Sequence, residues 1–210
     1  MSEAPTKMQP RGVIRRQAML EAAKALFLEK GFENTSLSDI VERSKGSRST
    51  LYELFGNKEG LLRAMVEEST TQVWEAMDWA EALPEATDEA LVELGMRFAK
   101  IALSSDSMAI YRIVVAEGHR MPEIARFFFL SGPQVFHQRL TDIFRKAQED
   151  GRFKTGDPEM MAAAFASTAL GDLHFRRALA VMPEMPDDDI ARFVRTMVRT
   201  FLYGVAVSRT

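Results

Sequence analysis

SKGSRSTLYELFGNKEGL, residues 44–61, packs a helix stop and two helix starts into one short stretch. Gly46 ends one helix and Ser47 caps the next; Asn57 then caps a third, with Lys58 in its first turn. Leu51, Leu54 and Phe55 share the inward side of a helix over 47–55, which leaves Arg48, Ser49, Thr50, Tyr52 and Glu53 facing out. Short hydroxyls at a helix N-terminus let a backbone come close to base edges, and Arg48 reaches guanine or a phosphate. Tyr52 offers a phenol at phosphate distance, and Lys58 opens a helix whose positive end also favours phosphate. Upstream, a helix over 36–44 turns Leu37, Ile40 and Val41 inward, with Ser36 and Asp39 at capping-box spacing, although Asp is shorter than the preferred Glu or Gln. Two short helices joined by a tight turn, about 36–55, make a helix-turn-helix pattern. Thr35 and Ser36 flank it as further phosphate contacts. The residues alone equally describe an ordinary capped helix pair with hydroxyls facing water.

Outward from this stretch the chain reads as all-α. Alternating Val/Ile/Thr runs and Asn-Gly or Asp-Gly hairpin turns are missing. Ile14, Ala18, Ala22, Ala25 and Leu26 mark one face of a helix over 13–30; Gly31 supplies its left-handed ending, with Phe32 folding back on Phe27. A long helix over 58–80 carries Leu61, Leu62, Met65 and Val66 inward. Beyond Leu83-Pro84 the helices lengthen: 88–104, 106–117, 123–130, 133–150, 158–181 and 187–207. Asp157-Pro158-Glu159 joins a capping side chain, a preset φ and an acid at the positive end of the dipole; Asp187-Asp188-Asp189 is expected to open the last helix likewise. The expectation is nine to ten helices in two domains, 13–73 and 84–210.

Composition sets bounds. The 210 residues include no cysteine, which excludes disulfides and thiolate metal sites. MSEAPTKMQPRG has no apolar core after its charges and does not read as a signal peptide, and FFFL at 127–130 is far too short to span a membrane. A cytoplasmic protein is expected. The net charge of −3 conceals a split: residues 1–66 hold 11 Lys/Arg against 8 Asp/Glu, and residues 67–210 hold 16 against 22. A basic front on an acidic body suits phosphate, but charge alone decides nothing.

The front resembles a known family. RRQAMLEAAKALFLEKGFENTSLSDIV followed by GSRSTLYELFGNKEGLL is similar, within residues 13–66, to the DNA-binding domain of the TetR family of bacterial transcriptional repressors. The resemblance implies a three-helix DNA-reading head, a C-terminal helical domain for ligand binding and dimerisation, and double-stranded operator DNA as partner. It carries DNA contacts to Thr35 and Ser36 on the backbone, to Ser47, Arg48, Ser49 and Thr50 in the groove, and to Tyr52 and Lys58 on phosphates. One departure stands out. The family usually has Ala-Gly-Val-Ser or Ala-Gly-Gly-Ser at the turn; here Ser44-Lys45-Gly46-Ser47 puts the left-handed site on Lys45, at a steric cost and with an extra cation near the DNA backbone. IYRIVVAEGHRMPEIARFFFLSGP and GDLHFRRAL resemble the AefR-like C-terminal subgroup.

The resemblance thus implies a ligand-responsive regulator, a repressor that binds a palindromic operator as a homodimer and is released by a small apolar or aromatic effector. Trp74, Trp79, Met96, Phe98, Met108, Phe127, Phe128, Met161 and Phe165 could form its pocket, with Trp79, Phe98, Phe127 and Phe165 foremost and His174 among the orienting polar groups. Ordinary core packing is the alternative for each. Ala166 and Leu170 on a small-residue face, with Phe193, Met197, Val198 and Phe201 on the last helix, are the expected dimer contacts; intramolecular packing competes for the same surface. A helical enzyme lacks a motif here: no Gly-rich phosphate loop, no His-Glu-x-x-His and no Glu-x-x-His pair, so no metal or cofactor is expected. A protein-only adaptor would leave Tyr52 and Lys58 as indifferent surface.

Overall fold

The computed structural model describes residues 10–81 and 87–204, with the side chains of 11–71 and 87–204. Among them every regular element is a helix. The order is α1 (Pro10–Lys30), α2 (Leu37–Ser44), α3 (Arg48–Phe55), α4 (Lys58–Glu81), α5 (Asp88–Leu103), α6 (Ser105–Glu117), α7 (Pro122–Ser131), α8 (Pro133–Glu149), α9 (Pro158–Leu170), α10 (Leu173–Ala178) and α11 (Asp187–Tyr203). The stop signals act as the residues require. Gly31 sits at φ +82° with its N–H on the Phe27 carbonyl (3.0 Å), and the Phe27 and Phe32 ring centroids are 4.9 Å apart. Asp157 Oδ1 accepts from the N–H groups of Glu159 (2.9 Å) and Met160 (3.3 Å) at the start of α9.

Two apolar cores result. Met19, Ala23, Leu26, Ile40, Leu51, Leu61, Leu62 and Val66 fill the first, between α1 and α4. Ile110, Ile113 and Val114 of α6 and Ile124 of α7 complete that same core. The second joins α5, α8, α9, α10 and α11 around Leu94, Phe136, Phe144, Phe165 and Val194.

The structure corrects two expectations. The helix read as 158–181 is two, because Gly171 takes φ +52° and ψ −143°, which breaks the ladder between α9 and α10. The Phe193 ring lies where a Cβ on Gly171 would stand, with Cζ 2.6 Å from it. α10 then ends before Ala180, a non-glycine residue at φ +56°. The last helix stops at Tyr203, since Gly204 at φ +73° caps it; the expected extension to 207 runs past the described residues.

The dimer stripe is corrected too. Val198 is 1% exposed and faces α5, where Gly95 lets α11 approach: a Cβ there would lie 2.9 Å from Val194 Cγ1 and 3.4 Å from Val198 Cγ2. Ala166 is also buried, and Phe201 packs on Phe144 and Phe165 (centroids 5.7 and 5.5 Å). The helical stripe of α11 thus closes its own core, and Phe193 and Met197 remain half-exposed at its edge.

Val198→Asp accordingly puts an unpaired charge into the core of one chain. It should lower unfolding free energy by about 3–5 kcal/mol in urea, whatever the protein concentration. An unchanged midpoint with loss of self-association would instead place Val198 between copies.

Candidate nucleic-acid interface and internal cavity

The turn between α2 and α3 is fixed by its own residues. Ser36 Oγ accepts the Asp39 N–H (3.1 Å) and the Asp39 carboxylate accepts the Ser36 N–H (3.0 Å), so the capping box closes even with the shorter acid. The Ser36 backbone bond first, then its hydroxyl and the Lys30 ammonium, hold the Asp39 carboxyl below its ordinary value. The box is therefore intact above the ordinary carboxylate range and is lost as pH falls through the lowered value. Lys45 occupies the left-handed site (φ +53°, ψ +33°) with its side chain exposed, and Gly46 donates to the Val41 carbonyl (3.0 Å). A Cβ on Gly46 would meet the Met19 Cε at 2.4 Å, so a side chain there requires the buried Met19 to shift.

Ser47 Oγ accepts the Thr50 N–H (3.1 Å) and lies 2.9 Å from Ser49 Oγ and 2.8 Å from Thr50 Oγ1. One hydroxyl cluster therefore sits at the start of α3, with Leu51 and Phe55 buried behind it and Tyr52 56% exposed in front. Arg48 Nη2 donates to Ser38 Oγ (2.7 Å), which aims the guanidinium along the outer side of α2. Helical spacing within one element does not reveal Ser38, because the contact crosses the turn.

Thr35 and Lys58 are not placed for DNA contact as expected. Thr35 is 1% exposed, and its Oγ1 reaches the carbonyls of Gly31 (2.8 Å) and Leu26 (3.2 Å). The hydroxyl satisfies the end of α1 instead of a phosphate. Lys58 Nζ donates to the carbonyls of Phe32 (2.7 Å), Thr35 (3.0 Å) and Glu33 (3.3 Å) and lies 4.4 Å from the Phe32 ring centroid. All three of its protons are used, so it clamps the α1–α2 loop to the start of α4. Ser36, Lys45, Ser47, Arg48, Ser49 and Tyr52 stand exposed, and Thr50 half-exposed.

A cavity of about 250 Å³ lies where α4 to α10 converge. Ser69 and Thr70 of α4, Phe98 and Ile101 of α5, Met108 and Tyr111 of α6, Phe128 of α7, His137 of α8, Leu170 of α9 and His174 of α10 are among its walls. Phe98 and His174, two of the expected pocket residues, are among these walls. Phe127 is not, because its ring turns to the first core with the Arg63 guanidinium 4.1 Å from its centroid. Phe165 is fully buried against Phe144 and Phe201, and the side chains of Trp74 and Trp79 lie outside those described. Ala166 and Leu170, expected between copies, line the cavity. Tyr111 was open to detection, since it stands one helical turn from Met108. Burial pushes the His174 imidazole below the usual histidine value, and its ring stands edge-on to Tyr111 at 4.5 Å.

Comparison with known proteins bears on both halves. The family profile described as bacterial regulatory proteins, tetR family, matches residues 19–65, and that of the AefR-like transcriptional repressor, C-terminal domain, matches 89–204. The second alone spans more than half of the chain. The chain belongs to the TetR family. It is a DNA-binding transcriptional regulator and, like the family, not an enzyme. The HTH-type transcriptional repressor ComR of Escherichia coli K12 is 47% identical over 55 residues, 26% of either chain, so that likeness concerns one segment only. The HTH-type regulator YvkB of Bacillus subtilis 168 is 26% identical over 188 residues, covering 84% of this chain and 94% of its own. The solved structure of the flavonoid-responsive regulator FrrA superposes with a TM-score of 0.67 at 26% identity, over 90% of this chain and 95% of that one. Among the described residues no helix is long and apolar enough to cross a membrane.

Two substitutions in this TetR-family head separate support from contact. Lys58→Met leaves three carbonyls without their donor and should lower stability by about 1–3 kcal/mol in the absence of DNA. An unaltered urea midpoint with weakened DNA binding would return Lys58 to the phosphates. Lys45→Gly relieves the left-handed strain and should raise stability by about 1 kcal/mol while weakening DNA binding at low salt.

Proposed function

We propose that the protein is a repressor that binds a palindromic operator as a homodimer and is released by a small apolar or aromatic effector held in the cavity. The observation that carries this reading is a shared helix. α4 opens under the recognition helix at Lys58 and, at Ser69 and Thr70, forms part of the cavity wall. A ligand that fits only one setting of α4 therefore biases where the head points. ComR, similar over 55 residues, bears the name of a repressor, and FrrA that of a flavonoid-responsive regulator; both support the reading.

A single head of this size makes few base contacts, which favours pairing. Met160, Ala164 and Ser167 of α9 are exposed, and Phe193 and Met197 of α11 are half-exposed; these replace Val198 and Phe201 as the surface proposed to join two copies. Ala164 and Ser167 are small enough to let helices approach closely, and twofold symmetry closes such a contact on itself.

The test is binding to the inverted repeats upstream of the chain's own gene. Affinity should fall steeply with salt, because cations and helix ends meet phosphates. Arg48→Ala or Thr50→Ala should re-rank operator variants by about 1–3 kcal/mol at the affected base pair. Unchanged ranking for both would remove α3 from base reading. A hundredfold release by an effector corresponds to about 2.7 kcal/mol of differential binding, and operator must weaken that effector by the same factor. An effector bound equally well with and without operator would not be the switch.

A further inference from the structure

The cavity walls are mostly apolar, and none of its described lining residues is Asp, Glu, Lys or Arg. Five half-buried polar side chains nevertheless face it: Ser69, Ser107, Tyr111, His137 and His174. Among the described residues none of the five has a side-chain hydrogen-bond partner within the protein. Thr70, also in the wall, is different: its hydroxyl is spent on the Val66 carbonyl (3.0 Å). Unlike Thr70, these five keep hydrogen-bonding capacity to spare where they border one largely apolar space, which is the pattern of the few polar groups that orient a ligand.

The chemistry of those groups narrows the ligand. A phenol both gives and accepts one proton, and so do a serine hydroxyl and a neutral imidazole. Their best complement is a group that also does both, which is a hydroxyl. A carboxylate would be buried with no cation beside it, and could gain one only by protonating an imidazole. Burial opposes that at His174, where it disfavours the charged form. The frame of the ligand follows from the rings. Phe98 lies flat on Phe136 at 3.6 Å, and Tyr111 stands 6.4 Å from Phe128 and 4.5 Å from His174. Aromatic walls at these spacings suit a flat aromatic guest, stacked or edge-on.

We infer that the cavity takes an uncharged, flat aromatic molecule bearing a hydroxyl group, with the hydroxyl at the end lined by Tyr111 and His174. This rests on the effector reading above and specifies its chemistry. Calorimetric titration of the full chain at pH 7.5, without DNA, compares 2-naphthol, naphthalene and 2-naphthoate. The expected order is 2-naphthol about ten-fold tighter than naphthalene, as for one or two net hydrogen bonds, with 2-naphthoate the weakest. Tyr111→Phe and His174→Phe should each reduce the advantage of 2-naphthol and leave naphthalene as it was. Tyr111→Phe keeps the ring, so it decides the matter even if His174→Phe does not fold. Equal affinity for 2-naphthol and naphthalene would overturn the hydroxyl requirement while leaving an apolar effector cavity. Tightest binding of 2-naphthoate would overturn it in favour of anions, and binding of none of the three would overturn both this inference and the effector reading.

Discussion

The front core cannot close by itself, and that constraint organises the rest of the molecule. The short α2 and α3 pack on α1 and the first turns of α4, and a unit of that size buries too little apolar surface to be independently secure. Ile110, Ile113 and Val114 of α6, with Ile124 of α7, fill the remaining side. The adjoining face of α6 presents Ser107, Met108 and Tyr111 to the cavity. One helix therefore has two apolar obligations, and its position must satisfy both. Because packed cores resist continuous deformation, the proposed effector would act on the head through a shift of a whole helix.

Cations hold these helices in place mainly by capping carbonyls. Lys58 takes three carbonyls of the α1–α2 loop. Arg177, 7% exposed, donates Nε and Nη2 to the Leu103 carbonyl at the end of α5 (3.3 and 3.2 Å) and Nη1 to that of Met182 (3.3 Å). Arg112 of α6 donates to the Arg177 and Ala178 carbonyls at the end of α10. The last carbonyls of a helix have no partner within it and carry the negative end of its dipole, so a buried guanidinium satisfies both needs without a carboxylate. α10, isolated by Gly171 and Ala180, owes its placement beside the cavity largely to these two arginines.

What the sequence disclosed follows from what local signals encode. Caps, glycine stops and apolar periodicity are properties of a few neighbouring residues, so the ends of α1, α2 and α3 and the start of α9 were legible; the left-handed Lys45 followed from the family resemblance. Gly171 was read as a small packing residue inside 158–181, because its stop becomes visible only with the Phe193 ring beside it. Periodicity also states that a face is apolar without naming its neighbour. Val198 and Phe201 were on the correct stripe, yet that stripe met α5, α8 and α9 of the same chain. Phe127 and Phe128 differ by one residue, about 100° around α7, and only the second reaches the cavity. Lys58 followed the same rule: its position was legible, its destination was not.

The joint between head and body is suited to movement by the composition of its rim. At its centre are the apolar contacts of α6 and α7 with the first core. At its edges Lys24 of α1 meets Asp106 of α6 at 2.8 Å, and Glu33 of the α1–α2 loop meets Arg120 beyond α6 at 3.8 Å. Glu33 and Arg120 have side chains 59% and 56% exposed, so that pair is worth at most about 1 kcal/mol; Asp106 is 75% exposed and Lys24 18%, so their pair is half in water. The apolar centre is non-directional and tolerates a small slide, provided that no methyl is left facing a void. Breaking both rim pairs therefore costs less than the few kcal/mol that the proposed effector would supply by differential binding. A rim of buried, bidentate pairs would have locked the head in one setting; exposed single contacts orient it without fixing it.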